Sequence, residues 1–346
     1  MHIIQSAFIS GILLLGVLLG IPSQGIAQTN GDSDRIYLDE VFEHGETIPS
    51  LRSVLIQKNG ELLGAKYFRD VTPTRAYNIK SASKSVIALL VGIAIDQGFI
   101  PSVNEPITTY FPDFFENNDD PLKRSITIQD LVTMRAGLES TSSPNYGRWV
   151  ASSSWVRYAL NQPFVEDPGG RMVYSTGSTH LLSVIITKAT GMSTKRFAER
   201  YLFGPMDISV GGWDRDPEGY YMGGNNLALT PANMLKIGQM VLDEGVYNDQ
   251  RIVSKEWLIE SFRTYTFSNF NPYAYGYGWW KQKINGYQTI FAWGFGGQYI
   301  FIIPELDATV VFSSNLLVAD QRRRYKRPVF QYMEQYIIPF LRSQPE

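Results

Sequence analysis

Residues 77–98 read YNIKSASKSVIALLVGIAIDQG. The pattern predicts a helix. Val86, Ile87, Leu89, Leu90, Ile93 and Ile95 make it apolar almost all round, which implies burial, and Gly98 is placed to end it as a C-cap. The start of the segment is the unusual part. Ser81-Ala82-Ser83-Lys84 sets a hydroxyl and an amine three residues apart, on one face of a helix. Two readings compete. In one, Ser81 caps the helix and Lys84 is a solvated charge in its first turn. In the other, Ser81 is a nucleophile and Lys84 takes its proton. An S-x-x-K tetrapeptide alone does not choose, since roughly one chance match is expected in a chain this long.

The bulk composition narrows the setting. The chain has 346 residues, 44% hydrophobic and 18% charged, enough for a large core in one domain or two intimately packed ones. A net charge of -2 provides no global field for nucleic acid or an anionic membrane. The absence of cysteine removes disulfides, cysteine nucleophiles and thiolate metal sites. Residues 7–21, AFISGILLLGVLLGI, are apolar and uncharged, and Pro22, Gly25 and Ala27 follow. Residues 1–27 therefore read as a signal peptide cleaved after Ala27. An uncleaved anchor is the alternative, although the run is short for a membrane span. The expected product is a soluble periplasmic or secreted protein, residues 28–346, without stable membrane association.

Further along, residues 53–68 form two apolar runs around Asn59-Gly60, a hairpin signal. Residues 100–265 look mainly helical. Thr127 with Asp130 is close to a capping box, Pro231 and Gly245 bracket a helix, and SKEWLIESF is another short one. After residue 273 aromatic and β-branched residues dominate. Antiparallel strands are expected near 275–284, 287–293, 297–303 and 308–313, followed by a closing helix with Pro328 at its start. The fold class is α+β. The chain ends (about 40–80 and 265–346) build one antiparallel sheet flanked by helices, and a mainly helical region (about 81–265) is inserted.

Several chemistries are excluded by absence. Only His2, His44 and His180 exist, and no G-x-S-x-G elbow occurs. No H-x-H or H-E-x-x-H cluster is present for zinc, and there is no Walker loop. Gly294-Phe295-Gly296-Gly297 lies among strands and opens no helix, so it is a poor dinucleotide fingerprint. No metal and no cofactor are expected. A histidine-free nucleophile gains weight. A helix N-terminus favours negative charge on an alkoxide or oxyanion, and burial favours a neutral lysine amine. Tyr174, just before a second apolar helix, offers a phenol as further base or proton shuttle.

With these motifs in order, the chain resembles the serine β-lactamase and penicillin-binding protein superfamily. It is most similar to the class C and esterase branch that includes 6-aminohexanoate-dimer hydrolases. The resemblance covers about residues 40–340. It rests on SASK, TIQDLVTMRAGL, DPGGRMVYSTGSTHLLSVIITKATG, LALTPANMLKIGQMVLDEG and FAWGFGGQYIFIIPE. It implies the β-lactamase-like fold and a Ser81 nucleophile whose proton is shared by Lys84 and Tyr174. It also implies an acyl-enzyme released by water, and an oxyanion hole of the Ser81 and Phe295 N–H groups.

Two departures bear on specificity. The Y-x-N of the lactamase branch is Tyr174-Ser175-Thr176 here, so an amide is lost. The K-T-G or H-x-G motif is Ala292-Trp293-Gly294, so a cation is lost and Trp293 offers an apolar wall. Losing that cation costs about 2 kcal/mol of affinity for carboxylate substrates if the contact is a charge-assisted hydrogen bond. Thr176, Trp293 and Gly294 are thus the expected substrate-binding positions, and the expected substrate is a small ester or amide with an apolar or linear acyl part. A β-lactamase or DD-peptidase using the same residues is the first alternative. A non-catalytic binding or sensor protein of the same fold is the second. Trp279 and Trp280 read as core aromatics, His180 as a satisfied core histidine, Asp214 and Asp216 as loop residues, and the basic run 322–327 as solvated.

Overall fold

The computed structural model of the protein describes residues 36–315 and 326–345. The expected signal segment and residues 322–325 of the basic run lie outside the described residues.

An eight-stranded antiparallel sheet organises the chain. Its strands run, edge to edge, 61–67, 51–58, 308–314, 298–303, 287–294, 280–284, 274–275 and 266–267. All come from the two chain ends, as the sequence pattern implied. The first hairpin turns at Asn59 (φ 49°) and Gly60 (φ 75°), the left-handed pair that a two-residue turn of matching twist requires. The expected strand over 275–284 is split in two, because residues 276–279 leave the ladder between Ala274–Tyr275 and Trp280–Ile284. At this break the Ser85 hydroxyl donates to the Gly278 carbonyl at 2.6 Å and pins the neighbouring helix there.

Both faces of the sheet are covered, which explains its nearly continuous apolar strands. Along 298–303, Ile300 and Ile302 join the core beneath the helical region, while Tyr299, Phe301 and Ile303 join the core on the opposite face. Val311 against Val310 and Phe312 repeats the alternation in the next strand, the period of two that a pleated strand imposes. The helix Leu38–Glu46 and the chain-end helices from Lys326 onward cover the second face. Pro328 falls in the first turn of Lys326–Tyr332, where a missing N–H costs nothing.

On the first face the helices Ser83–Asp96 and Thr176–Thr190 form the centre of the helical region. Gly98 follows the first helix at φ 73°, and Gly191 ends the second at φ 66°. Thr127 and Asp130 form a complete capping box, and Pro231 is the first residue of Pro231–Leu242. The inserted region is not purely helical. A small sheet pairs Tyr77–Asn78 with Leu227–Leu229, and the latter with Gly212–Trp213. Together with the bond from the Ile79 N–H to the Leu227 carbonyl (2.8 Å), it fixes the segment before Ser81 against the loop at 222–226. Among the described residues, no helix is long and apolar enough to cross a membrane.

Candidate active site

Ser81 is not a helix cap. It lies within a tight turn, Lys80–Ala82, and the α-helix starts at Ser83; neither receives a side-chain cap bond. Lys80 enters the turn at φ 54°, a region costly for a residue with a Cβ. Its N–H is held by the Asn78 side chain at 2.8 Å. This kinked entry puts Ser81 at the mouth of a cleft of about 700 Å³, where it lines the wall.

Lys84 is not solvated either. It is 1% exposed and is the second residue of the helix Ser83–Asp96. Its Nζ lies 3.3 Å from Ser81 Oγ, 3.3 Å from Thr176 Oγ1 and 2.6 Å from the Gly224 carbonyl. Burial lowers its pKa from 10.5 to about 7. As an ammonium, Lys84 donates to three acceptors. As a neutral amine it keeps two donations, to Gly224 and Thr176, and turns its lone pair to the Ser81 hydroxyl. The two states differ by the proton that a nucleophilic serine must lose.

Gly224 is required for this geometry. A Cβ there would fall 2.3 Å from Thr179 Oγ1 and 3.0 Å from Lys84 Nζ. Its loop is anchored by a buried pair that the sequence reading missed: His180 Nε2 and Asp216 Oδ2 are 2.9 Å apart and both side chains are fully buried. Asp216 Oδ1 also accepts the N–H groups of Glu218 and Tyr220. Asp216 is therefore a buried structural carboxylate, not an ordinary loop residue.

Tyr174 comes to the same place from the far side. Its ring centroid lies 5.1 Å from Lys84 Nζ, it stacks on Trp280 at 5.7 Å, and it lines the cleft. Thr176, buried behind it, passes the network to Ser142, whose Oγ is 2.9 Å from Thr176 Oγ1 and accepts the Thr176 N–H at 2.9 Å. Thr141 Oγ1 accepts the Gly177 N–H at 2.7 Å. The first N–H groups of the Thr176–Thr190 helix, which lack partners within it, are thus met by the hydroxyl run at 140–143. That run, Ser-Thr-Ser-Ser, was the available signal for residues the sequence reading overlooked.

The strand 287–294 closes the other wall. Gly294 lets it approach the turn before Ser81, since a Cβ would sit 2.0 Å from the Ile79 carbonyl oxygen. Phe295, next in sequence, and Trp293 both line the cleft. Trp279 and Trp280 are core residues, as expected. Two groups from elsewhere in the chain come close to these motif positions. Asn225 brings a carboxamide to the cleft lining and donates to the Tyr146 hydroxyl at 3.1 Å. Lys326, expected to be solvated, places its Nζ 3.8 Å from the centroid of the Trp293 ring. The structure thus brings Ser81, Lys84, Tyr174, Thr176, Trp293, Gly294 and Phe295 together. Among the described residues, no group of three or more His, Asp or Glu side chains is placed to hold a metal ion.

A serine beside a buried lysine, at the meeting of an antiparallel sheet and a helical region, defines a serine hydrolase with the β-lactamase-like fold. The chain belongs to the Beta-lactamase family, whose model matches residues 38–330. It is similar to the 6-aminohexanoate-dimer hydrolase of Paenarthrobacter ureafaciens, at 24% identity over 294 residues, 78% of this chain and 73% of that one. Among solved structures it is similar to EstCE1, a hydrolase with promiscuous acyltransferase activity (TM-score 0.68, 16% identity, 86% of this chain and 96% of that one). It is also similar to the octameric penicillin-binding protein homologue from Pyrococcus abyssi (TM-score 0.66, 20% identity, 87% and 79%).

Proposed function

We propose that the protein is an exported hydrolase that cleaves a carboxylic ester or small amide through an acyl-enzyme on Ser81. The observation that carries this reading is the buried Lys84 amine, 3.3 Å from the Ser81 hydroxyl and shifted by burial to a pKa near neutrality. Ser81 Oγ adds to the carbonyl carbon as its proton passes to Lys84. The carbonyl oxygen, now negative, is met by the N–H groups of Ser81 and Phe295. The bond to the leaving group breaks, and that group takes a proton from Lys84 or through the Tyr174 hydroxyl. Water then attacks the acyl carbon and gives a proton to Lys84. The acid leaves, and Ser81 Oγ recovers the proton. The net change is ester or amide plus water to acid plus alcohol or amine.

The cleft supports a small linear or apolar substrate, since Val173, Tyr174, Phe270, Trp293 and Phe295 line it. The similar 6-aminohexanoate-dimer hydrolase and EstCE1 support the same class. Export is supported by the apolar run at 7–21 and the small residues after it.

The test is intact-protein mass after exposure to a fluorophosphonate, on the wild type and Ser81→Ala. One adduct per chain in the wild type and none in Ser81→Ala is the expected result. A folded wild type that forms no adduct overturns the reading in favour of a binding protein. Nitrocefin turnover matching that of simple esters favours a β-lactamase instead.

A further inference from the structure

Away from the cleft, three arginines gather where the strand 51–58 begins. Arg52 is only 8% exposed, and buried charges ordinarily have an ionic partner. Its Nη1 donates to the Pro49 carbonyl at 2.9 Å and to the Leu51 carbonyl at 3.0 Å. Arg69, exposed just after the strand 61–67, donates from Nη1 to the same Leu51 carbonyl at 3.0 Å and from Nη2 to the Glu46 carbonyl at 2.8 Å. Two guanidinium groups thus meet on one neutral oxygen, where their like charges repel. The guanidinium of Arg75, also exposed, lies 5.5 Å from the ring centroid of Tyr77. Tyr77 is buried, and its hydroxyl has no hydrogen-bond partner among the described residues. Burial, then the charges of Arg69 and Arg75, lower the Arg52 pKa. Burial raises the Tyr77 pKa, and the charges of Arg75 and Arg52 oppose that rise. Among the described residues, no carboxylate pairs with any of the three arginines. Glu46 reaches Lys66 instead, at 3.7 Å.

We propose that Arg52, Arg69 and Arg75 form a binding site for a phosphate-type oxyanion, separate from the catalytic cleft. None of the three lines that cleft. The main-chain bonds occupy Nη1 of Arg52 and leave its Nε–Nη2 edge without a protein acceptor among the described residues. Such an edge is the planar fork that a guanidinium offers to an oxyanion. A buried charge held in place with that edge unused lacks the counterion that burial demands. The two exposed arginines leave the group open to solution. A carboxylate has two oxygens, enough for one fork. A tetrahedral phosphate has more and engages guanidinium groups from several sides, with the Tyr77 hydroxyl as a further unused donor. The proposal stands independently of the hydrolase reading of Ser81.

The test is isothermal titration calorimetry of inorganic phosphate into the folded protein, in chloride buffer at constant ionic strength. The wild type should bind phosphate saturably, one per chain. Arg69→Gln combined with Arg75→Gln should raise the dissociation constant about tenfold or more, and Lys80→Gln, in the cleft, should leave it unchanged. If the double variant does not fold, Arg75→Gln alone carries the test with a smaller weakening, since among the described residues it breaks no hydrogen bond. No saturable binding overturns the proposal and leaves the arginines as ties on the carbonyls of 46–51. Binding that Lys80→Gln abolishes and the arginine variants keep overturns it too, and assigns the phosphate to the cleft. Sedimentation with phosphatidylglycerol vesicles, against phosphatidylcholine vesicles, separates the sources of the phosphate. Phosphatidylglycerol binding that the double variant loses supports the site with a lipid headgroup as its ligand. Saturable phosphate binding without vesicle binding supports the site with a soluble phosphate.

Discussion

Lys84 Nζ lies 3.3 Å from Ser81 Oγ, within a side chain that is 1% exposed and, among the described residues, has no acidic partner. Burial without compensation lowers its pKa to about 7. Below that pH the amine is charged and cannot accept the serine proton; above it the amine is free. Ester kcat/KM is therefore expected to rise with pH through a midpoint near 7. Lys84→Met should abolish that limb and lower the rate about 10²–10⁴-fold. A rate independent of pH between 6 and 8 would contradict the assignment.

The same shift has a stability consequence. The folded-state pKa of Lys84 lies below its unfolded value of 10.5, so the unfolded chain binds more protons between pH 7 and 10.5. Stability attributable to this group therefore rises with pH across that window and is lost as pH falls toward 7. Urea unfolding of the wild type and Lys84→Met over this range checks the sign. The mutant should show the weaker dependence.

Thr176 Oγ1 is one of the three acceptors around Lys84 Nζ. Thr176→Val removes it at nearly constant volume. The ammonium loses a hydrogen bond that the neutral amine needs less, so the midpoint of the pH–rate limb should move to lower pH. An upward movement would show that the threonine does not stabilise the charged form.

Gly294 permits the approach of the strand to the Ile79 carbonyl, with 2.0 Å available to an added Cβ. Gly294→Ala should push the strand and the Phe295 N–H away from Ser81. The expected loss in kcat/KM is about 100-fold or more, the scale of losing one oxyanion donor. Near-wild-type turnover in a folded Gly294→Ala protein would remove Phe295 from the oxyanion hole.

The buried His180–Asp216 pair anchors the loop that presents Gly224 to Lys84. Asp216→Ala strands a buried imidazole and two backbone N–H groups, and should cost roughly 3 kcal/mol. Asp216→Asn keeps acceptors for the N–H groups and should recover part of it. Denaturant midpoints of the three proteins decide this, and equal midpoints would refute the anchoring role.

Short-range physics made much of this protein legible from its residues in order. Asn59-Gly60 specified a hairpin because its left-handed backbone matches strand twist. Thr127 with Asp130 specified a helix start, and the aromatic and β-branched residues of 297–303 and 308–313, between turn signals, specified strands. The spacing of Ser81 and Lys84 brought a hydroxyl and an amine together, although Ser81 lies in the turn before the helix. Local pattern could not show whether that lysine was wet or dry, because desolvation depends on what packs over it. Here that covering comes from Thr176, Gly224 and Tyr174, all distant in sequence. Asp216 read as a loop residue because its partner His180 belongs to another element. Lys326 read as a solvated charge because Trp293 and Phe270 reach it only when the chain-end helix docks on the sheet. The sequence by itself determined most of the elements and the spacing of Ser81 and Lys84. The tertiary structure decided the burial that lowers the Lys84 pKa and the placement of Lys326 against Trp293, since both depend on distances that only the folded chain establishes.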